Sequence, residues 1–278
     1  MNETIAVIGA GSWGTTLANL LAKKGYPVTI WAHEPDVARA IEEEHANSTY
    51  LAGVKLDERL RATSDLAACV AGADVIVSVS PSQHVRGVLT EAAPHIGPEA
   101  LIVSASKGIE TSTLETMAEV IGDVLPDAAG RTCYLSGPSF ALEVAKEQPT
   151  AVTVASASED AARQAQEIFQ TDYFRVYTTD DVRGVELGGA LKNVIALASG
   201  MVTVLGLGHN TTAALITRGL AEISRLGVAL GASPLTLSGL AGMGDLILTC
   251  TGGLSRNRRV GMLLGEGHKL EDILSEMK

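Results

Sequence analysis

A chain of 278 residues has room for one large or two ordinary domains and for a substantial buried core. Its 21 Lys and Arg against 32 Asp and Glu leave a formal charge of −11, which excludes a general nucleic-acid binder and leaves any phosphate ligand to a local cluster of cations. Cys69, Cys133 and Cys250 are scattered without C-x-x-C or zinc spacing, so no metal site is expected and a reduced, cytoplasmic setting fits.

The N-terminus enters the first strand directly, which leaves no room for a signal peptide. Ile5 to Ile8 is a short apolar run with the reading of a buried parallel strand. Gly9, Gly11 and Gly14 follow at G-x-G-x-x-G spacing, and Thr15 to Ala22 continues with helical periodicity. Gly9 permits the tight turn, Gly11 lets a pyrophosphate approach the backbone, and Gly14 lets the helix lie close on the strand. The helix start offers N–H groups and a positive dipole end to a diphosphate. The motif alone is weak. A strand before it, a helix after it and a second strand at Val28–Trp31 turn it into a dinucleotide-binding prediction. NAD sites place Asp or Glu at the end of that second strand to hold the ribose hydroxyls. Here the seat falls near Ala32, with His33 and then Glu34 behind it. No like charge meets a 2′-phosphate there and His33 could donate to it, which tilts the cofactor towards NADP. An ordinary loop histidine, NAD or dual use stays open.

Val37 to His45 reads as a charged surface helix whose Glu42-Glu43-Glu44 run is solvated, and Tyr50 to Gly53 as a loop. Thr63-Ser64-Asp65 caps a helix from Leu66 to Ala71. Further buried strands are expected at Val75–Val79, Leu101–Ser104, Thr132–Ser136 and Thr150–Ala155, with a helix from Glu159 to Phe169. This alternation specifies an open, mostly parallel sheet with helices on both faces. Ligands of such sheets bind beyond the carboxyl ends of the strands. Ser80 to Gln83, Lys107 and Gly137 to Ala141 all follow strands, so they should gather around one crevice, although each alone reads equally as loop surface.

Near Thr178-Thr179-Asp180-Asp181 the pattern changes to helix, with hydroxyls and acids suited to a helix start. Val182 to Ser199 reads as one long helix with Val185, Gly188, Gly189 and Lys192 on one face. Glycine in a helix interior costs about 1 kcal/mol relative to alanine, so the pair signals close approach of a ligand or of a neighbouring backbone. Lys192 among apolar neighbours fits a functional cation better than a solvated face. Asn193 to Thr217 carries no Lys, Arg, Asp or Glu, but glycines and His209-Asn210-Thr211-Thr212 interrupt it. It reads as a helix buried in a helical domain, not as a membrane span. Ser238 to Leu246 is glycine-dense with one carboxylate, Asp245. The cations, hydroxyls and amide of Thr249 to Arg259 suit a phosphate, or else form a basic surface turn. Cys250 has no activating partner in this motif and reads as structural.

These stretches together resemble the bacterial NAD(P)-dependent glycerol-3-phosphate dehydrogenase family, from Thr4 to the last residue. Gly9-Ala10-Gly11-Ser12-Trp13-Gly14 is shared with many dehydrogenases. More specific are Ser106-Lys107-Gly108, Gly137-Pro138-Ser139-Phe140-Ala141, Glu186 to Asn193, Gly242 to Leu246 and, above all, Ser255-Arg256-Asn257 beside the lysine-bearing helix. The resemblance implies an α/β fold: a Rossmann-like doubly wound sheet over residues 1–179, then an all-α substrate domain over 180–278. It implies interconversion of dihydroxyacetone phosphate and sn-glycerol 3-phosphate for phospholipid synthesis. Ser12, Trp13, His33, Lys107, Ala141 and Arg256, with the three glycines, would then serve the cofactor. Lys107, Gly137, Ser139, Lys192, Asn193, Asp245, Ser255, Arg256 and Asn257 would serve the substrate, Lys192 as proton donor and acceptor.

Ala52 departs from the family's usual proline in its Tyr-Leu-Pro-Gly loop, and Ser80 from its usual valine. Family members also continue beyond Lys278 with further helices, so the resemblance implies a helical domain cut short. Hydride transfer to a ketone needs a cation at the forming alkoxide, and Lys192 supplies it. Burial and Lys107 would favour its neutral amine, while Asp245 would favour the ammonium and orient it. Arg256 and Asn257 would grip the phosphate. A related two-domain 3-hydroxyacid dehydrogenase is the alternative, against which the phosphate-suited cluster speaks. A non-catalytic nicotinamide-nucleotide binder is the other. The expected partner is a small phosphorylated substrate, with no nucleic acid and no membrane span; assembly is left open, a homodimer included.

Overall fold

The structure is a computed structural model that describes residues 3–276, the side chain of Glu276 apart; the chain end at Met277-Lys278 lies outside the described residues. It divides into two compact units, Met1–Val182 and Arg183–Lys278.

The first unit alternates β1 (Ile5–Ile8), α1 (Ser12–Lys24), β2 (Val28–Trp31), α2 (Pro35–Glu44), β3 (Arg61–Thr63), α3 (Leu66–Val70), β4 (Val75–Ser78), α4 (Val85–Ala92), β5 (Leu101–Ser104), α5 (Met117–Val124), β6 (Thr132–Ser136), α6 (Ala141–Ala145), β7 (Thr150–Ala155), α7 (Glu159–Phe169) and β8 (Phe174–Thr179). Among the described residues the strands form one sheet in the order β3-β2-β1-β4-β5-β6-β7-β8, parallel except where β7 runs against β6. Strand order reverses between β1 and β4, the switch point where open α/β sheets bind ligands. Every residue of β1, β4, β5 and β6 is buried, the continuous apolar reading of a sheet covered on both faces. One face sets Val7, Val77, Val103 and Leu135 against Leu17 and Leu21 of α1 and Phe169 of α7.

Three local expectations are corrected. Glu42 is not solvated: its carboxylate accepts from the Ala62 amide at 2.7 Å and pairs with Arg61, pinning β3 to α2. Thr178 and Thr179 belong to β8 and not to a helix start. That edge strand escapes the sequence reading because Phe174 and Val176 face the core while Arg175 and Tyr177 face solvent. The Asn193–Thr217 run is not a single helix, since it breaks at Gly206 and Gly208, both at positive φ (66° and 79°).

The second unit is helical: α8 (Val182–Val204), α9 (Gly208–Ala229), α10 (Pro234–Leu237), a π-helical turn at Leu240–Gly244, α11 (Asp245–Thr251), α12 (Arg256–Gly265) and α13 (Leu270–Glu276). Helix α8 has the length and apolarity of a membrane crossing. Of that apolar stretch 39% is buried, and within this unit its glycines serve packing. A Cβ at Gly200 would lie 2.1 Å from the Arg258 carbonyl, and one at Gly261 would lie 2.0 Å from the Leu197 carbonyl, so α8 and α12 meet backbone to backbone.

Two outcomes follow from packing. A Cβ at Gly14 would stand 1.9 Å from the Gly9 carbonyl. Gly14→Ala is therefore expected to lower stability by at least about 1–3 kcal/mol, read as a drop in the denaturant midpoint. Burial pushes the Cys69 and Cys133 thiols up to about 12 and Cys250 to about 11. Native protein at mildly alkaline pH should then react hardly at all with Ellman's reagent, and Cys69, Cys133 and Cys250 should all react once guanidinium unfolds the chain.

Candidate active site

In the first unit the switch point holds the glycine-rich turn. Gly9 takes φ +116° after β1, and Gly11 is the N-cap of α1 with no side chain capping the helix. The amides of a first helical turn have no intrahelical partner. A Cβ at Gly11 would find nothing within 4 Å, so the backbone there is open to a close ligand. Trp13 stacks obliquely on Phe174 (6.4 Å between centroids), and its Nε1 is buried with no hydrogen-bond partner among the described residues. Ser12 is half-buried beside it, its carbonyl taken by Thr16 Oγ1. Asn47 braces the turn: buried, it donates through Nδ2 to the Ala10 carbonyl at 2.9 Å and to Thr15 Oγ1 at 2.8 Å. Sequence reasoning misses it, because a lone Asn in a loop carries no periodic signal.

Beyond β2, Ala32 is buried, His33 is exposed and edge-on to Trp31 (5.9 Å), and the Glu34 carboxylate accepts from the Tyr50 hydroxyl at 3.0 Å. The three strand-end loops do gather. Ser106 Oγ donates to the Ser80 carbonyl at 2.6 Å, and Lys107 Nζ to the Gly137 carbonyl at 3.1 Å. Ser139 Oγ donates to that same carbonyl at 3.0 Å. Ala141 begins α6, and its carbonyl accepts from Thr16 of α1 at 3.2 Å.

In the second unit Val185, Gly188, Gly189 and Lys192 are all buried on α8. The approach that Gly188 permits is of backbone: a Cβ there would lie 2.5 Å from the Ala241 carbonyl of the π-helical turn. That turn delivers Asp245 as the first residue of α11. Lys192 Nζ donates to Asp245 Oδ1 at 2.5 Å and to Thr249 Oγ1 at 3.0 Å. The Lys192 and Asp245 side chains are only 10% and 3% exposed. Thr249 in turn donates to the Asp245 carbonyl at 2.6 Å, which points an oxygen lone pair at the amine. Sequence reasoning places Thr249 in the phosphate-suited stretch and misses its tie to Lys192 and Asp245, although i, i+4 spacing from Asp245 would find it. Asn193 follows Lys192, half-buried. Ser255 is buried and caps α12, its Oγ accepting from the Arg258 amide at 3.2 Å; Arg256 is exposed and Asn257 half-buried in the first turn. Cys250 sits near the cations Lys192 and Arg258, but burial outweighs them and keeps the thiol protonated.

The first unit thus holds a glycine-rich turn with an uncapped helix start, and the second a buried lysine–carboxylate pair. Residues 4–162 match the model of the NAD-dependent glycerol-3-phosphate dehydrogenase N-terminus, and residues 181–278 that of its C-terminus. The chain belongs to the NAD-dependent glycerol-3-phosphate dehydrogenase family. It is similar to glycerol-3-phosphate dehydrogenase [NAD(P)+] of Geobacter metallireducens, 62% identical over 279 aligned positions that cover 100% of this chain and 83% of the relative. The Myxococcus xanthus enzyme of the same name is 54% identical over 98% of this chain and 82% of its own. The crystal structure of glycerol-3-phosphate dehydrogenase from Coxiella burnetii superposes with a TM-score of 0.94 at 41% identity, covering 99% of this chain and 84% of that one. The protein is accordingly an NAD(P)-dependent oxidoreductase. Its first unit fits the cofactor: the backbone at Gly11 is open, the first amides of α1 have no side-chain cap and Trp13 Nε1 has no partner among the described residues, which leaves donors for a ligand with hydrogen-bond acceptors.

Breaking one half of a buried ion pair strands the other charge, at about 3–5 kcal/mol. Asp245→Ala should lose that much in a urea unfolding series, whereas the paired replacement Lys192→Met with Asp245→Leu should recover most of it.

Proposed function

We propose that the protein catalyses the reversible reduction of dihydroxyacetone phosphate to sn-glycerol 3-phosphate for phospholipid synthesis, with Lys192 as proton donor and acceptor. The observation that carries this reading is the buried Lys192 ammonium, fixed by Asp245 and Thr249 on a helix whose Gly188 admits the turn that brings Asp245, in a chain of this family. Bound NAD(P)H supplies the hydride. Lys192 stabilises the forming alkoxide and gives it a proton, and in the reverse direction its neutral amine takes the proton back. Asp245 keeps the amine charged and aimed, and the Thr249 oxygen fixes a second N–H direction. Ser255, Arg256 and Asn257 serve the phosphate: an α12 start rich in donors, with a guanidinium able to bind two oxygens at once. Asn193 serves the substrate hydroxyls beside Lys192. Lys107, Gly137 and Ser139 orient the substrate, and Lys107, Ala141 and Arg256 also contact the cofactor.

NADP is the preferred cofactor on this reading. Buried Ala32 ends the β2 connection without a carboxylate, exposed His33 is available to a 2′-phosphate, and Tyr50 engages Glu34. A cytoplasmic location accords with three free, buried thiols.

The deciding assay follows NADPH and NADH oxidation with dihydroxyacetone phosphate against a panel of 3-oxo acids. Turnover of the phosphate ester alone is expected; preference for an unphosphorylated 3-oxo acid would overturn the assignment. Lys192→Ala should keep NADPH affinity and lose about 100-fold or more in kcat, and near-normal turnover in that variant would remove Lys192 from its role.

A further inference from the structure

We propose that Arg86 and Glu110 are positioning residues for Lys107, forming an ionic latch that ties the loop after β5 to the start of α4; this rests on the role given to Lys107 above. The loop runs from Ala105 to Thr116, between β5 and α5, and carries Lys107 near its beginning. Lysine is a flexible side chain, so its ammonium is only as well placed as the backbone beneath it, and misplacement by about 1 Å can cost about 100-fold in rate.

That backbone is held from one direction. Arg86, in the first turn of α4, approaches both Glu110 oxygens through Nε at 3.0 and 3.1 Å. The same guanidinium reaches Glu115 at 2.5 Å and Asp123 of α5 at 3.2 Å. One cation thus collects the two ends of the loop's outer turn and the helix that follows it. The turn closes on itself as well: the Glu110 amide donates to the Glu115 carbonyl at 2.8 Å, and Thr113 Oγ1 donates to the Glu110 carboxylate at 2.7 Å. Glu110 is 5% exposed, a burial that a carboxylate tolerates only when paired. Gln83, just before Arg86, adds a second attachment. Its Nε2 donates to the Ile109 carbonyl at 2.8 Å, and its Oε1 accepts from the amide and hydroxyl of Thr111 at 3.0 and 2.8 Å. Lys107 therefore stands between two fixed points, Ser106 on the Ser80 carbonyl and Glu110 on Arg86.

A double-mutant cycle separates positioning from general stabilisation. Arg86→Met should raise KM for dihydroxyacetone phosphate and lower kcat/KM by about 10- to 100-fold. Lys107→Met should be at least as impaired, and the double variant no worse than Lys107→Met alone. Hydrogen exchange supplies a readout without turnover: in Arg86→Met the amides of residues 109–116 should exchange faster while those of β6 keep their protection. Losses that add in the double variant, or unchanged exchange in the loop, overturn the latch. Full activity in Lys107→Met overturns the role of Lys107 and the inference with it. If Arg86→Met does not fold, Glu110→Gln, which removes the charge facing Arg86 and keeps the side-chain size, runs the same cycle, with the same results supporting or overturning the latch.

Discussion

An ammonium with a tenth of its side chain exposed survives on α8 because a carboxylate lies 2.5 Å away. The local architecture of the second unit can be read from that requirement. Asp245 must be delivered to α8 at close range, so the chain before it makes a π-helical turn against helix backbone, and Gly188 is bare where that turn arrives. Thr249 is in reach because it lies one helical turn after Asp245. Burial makes the pair costly to break and gives the amine a single direction.

The two lysines assigned to chemistry each donate to a partner that aims the amine. Lys107 donates to the Gly137 carbonyl. Lys192 donates to a carboxylate, which orients and also sets its proton state. A carboxylate partner suits an amine that must exchange a proton. In a chain of net charge −11, attraction for an anion has to come from such local arrangements.

The fold and the site are legible in the sequence where several residues conspire. Gly9, Gly11 and Gly14 between apolar runs announce the strand–turn–helix start, and the continuous burial of β1, β4 and β5 reads directly as parallel sheet. Lys192 and Asp245 each stand out as lone charges among apolar neighbours, yet no rule of spacing says that residues 53 apart touch. What stays hidden depends on single contacts or on edges. Asn47 acts through its amide alone, β3 is only three residues long, and β8 shows solvent its Arg175 and Tyr177. Glu42 reads as one of an acidic run because a strand end that needs a carboxylate cannot be seen from α2.

The braces around the glycine-rich turn and the strand-end loops share one trait. Asn47, Ser106, Lys107, Thr16 and Gln83 all reach main-chain carbonyls, those of Ala10, Ser80, Gly137, Ala141 and Ile109. No side-chain substitution deletes a carbonyl. Tolerance to sequence drift is therefore lopsided: the donors bear the hereditary risk of these braces, while acceptor positions such as Ser80 and Ile109 are free to vary in identity as long as the chain keeps its path.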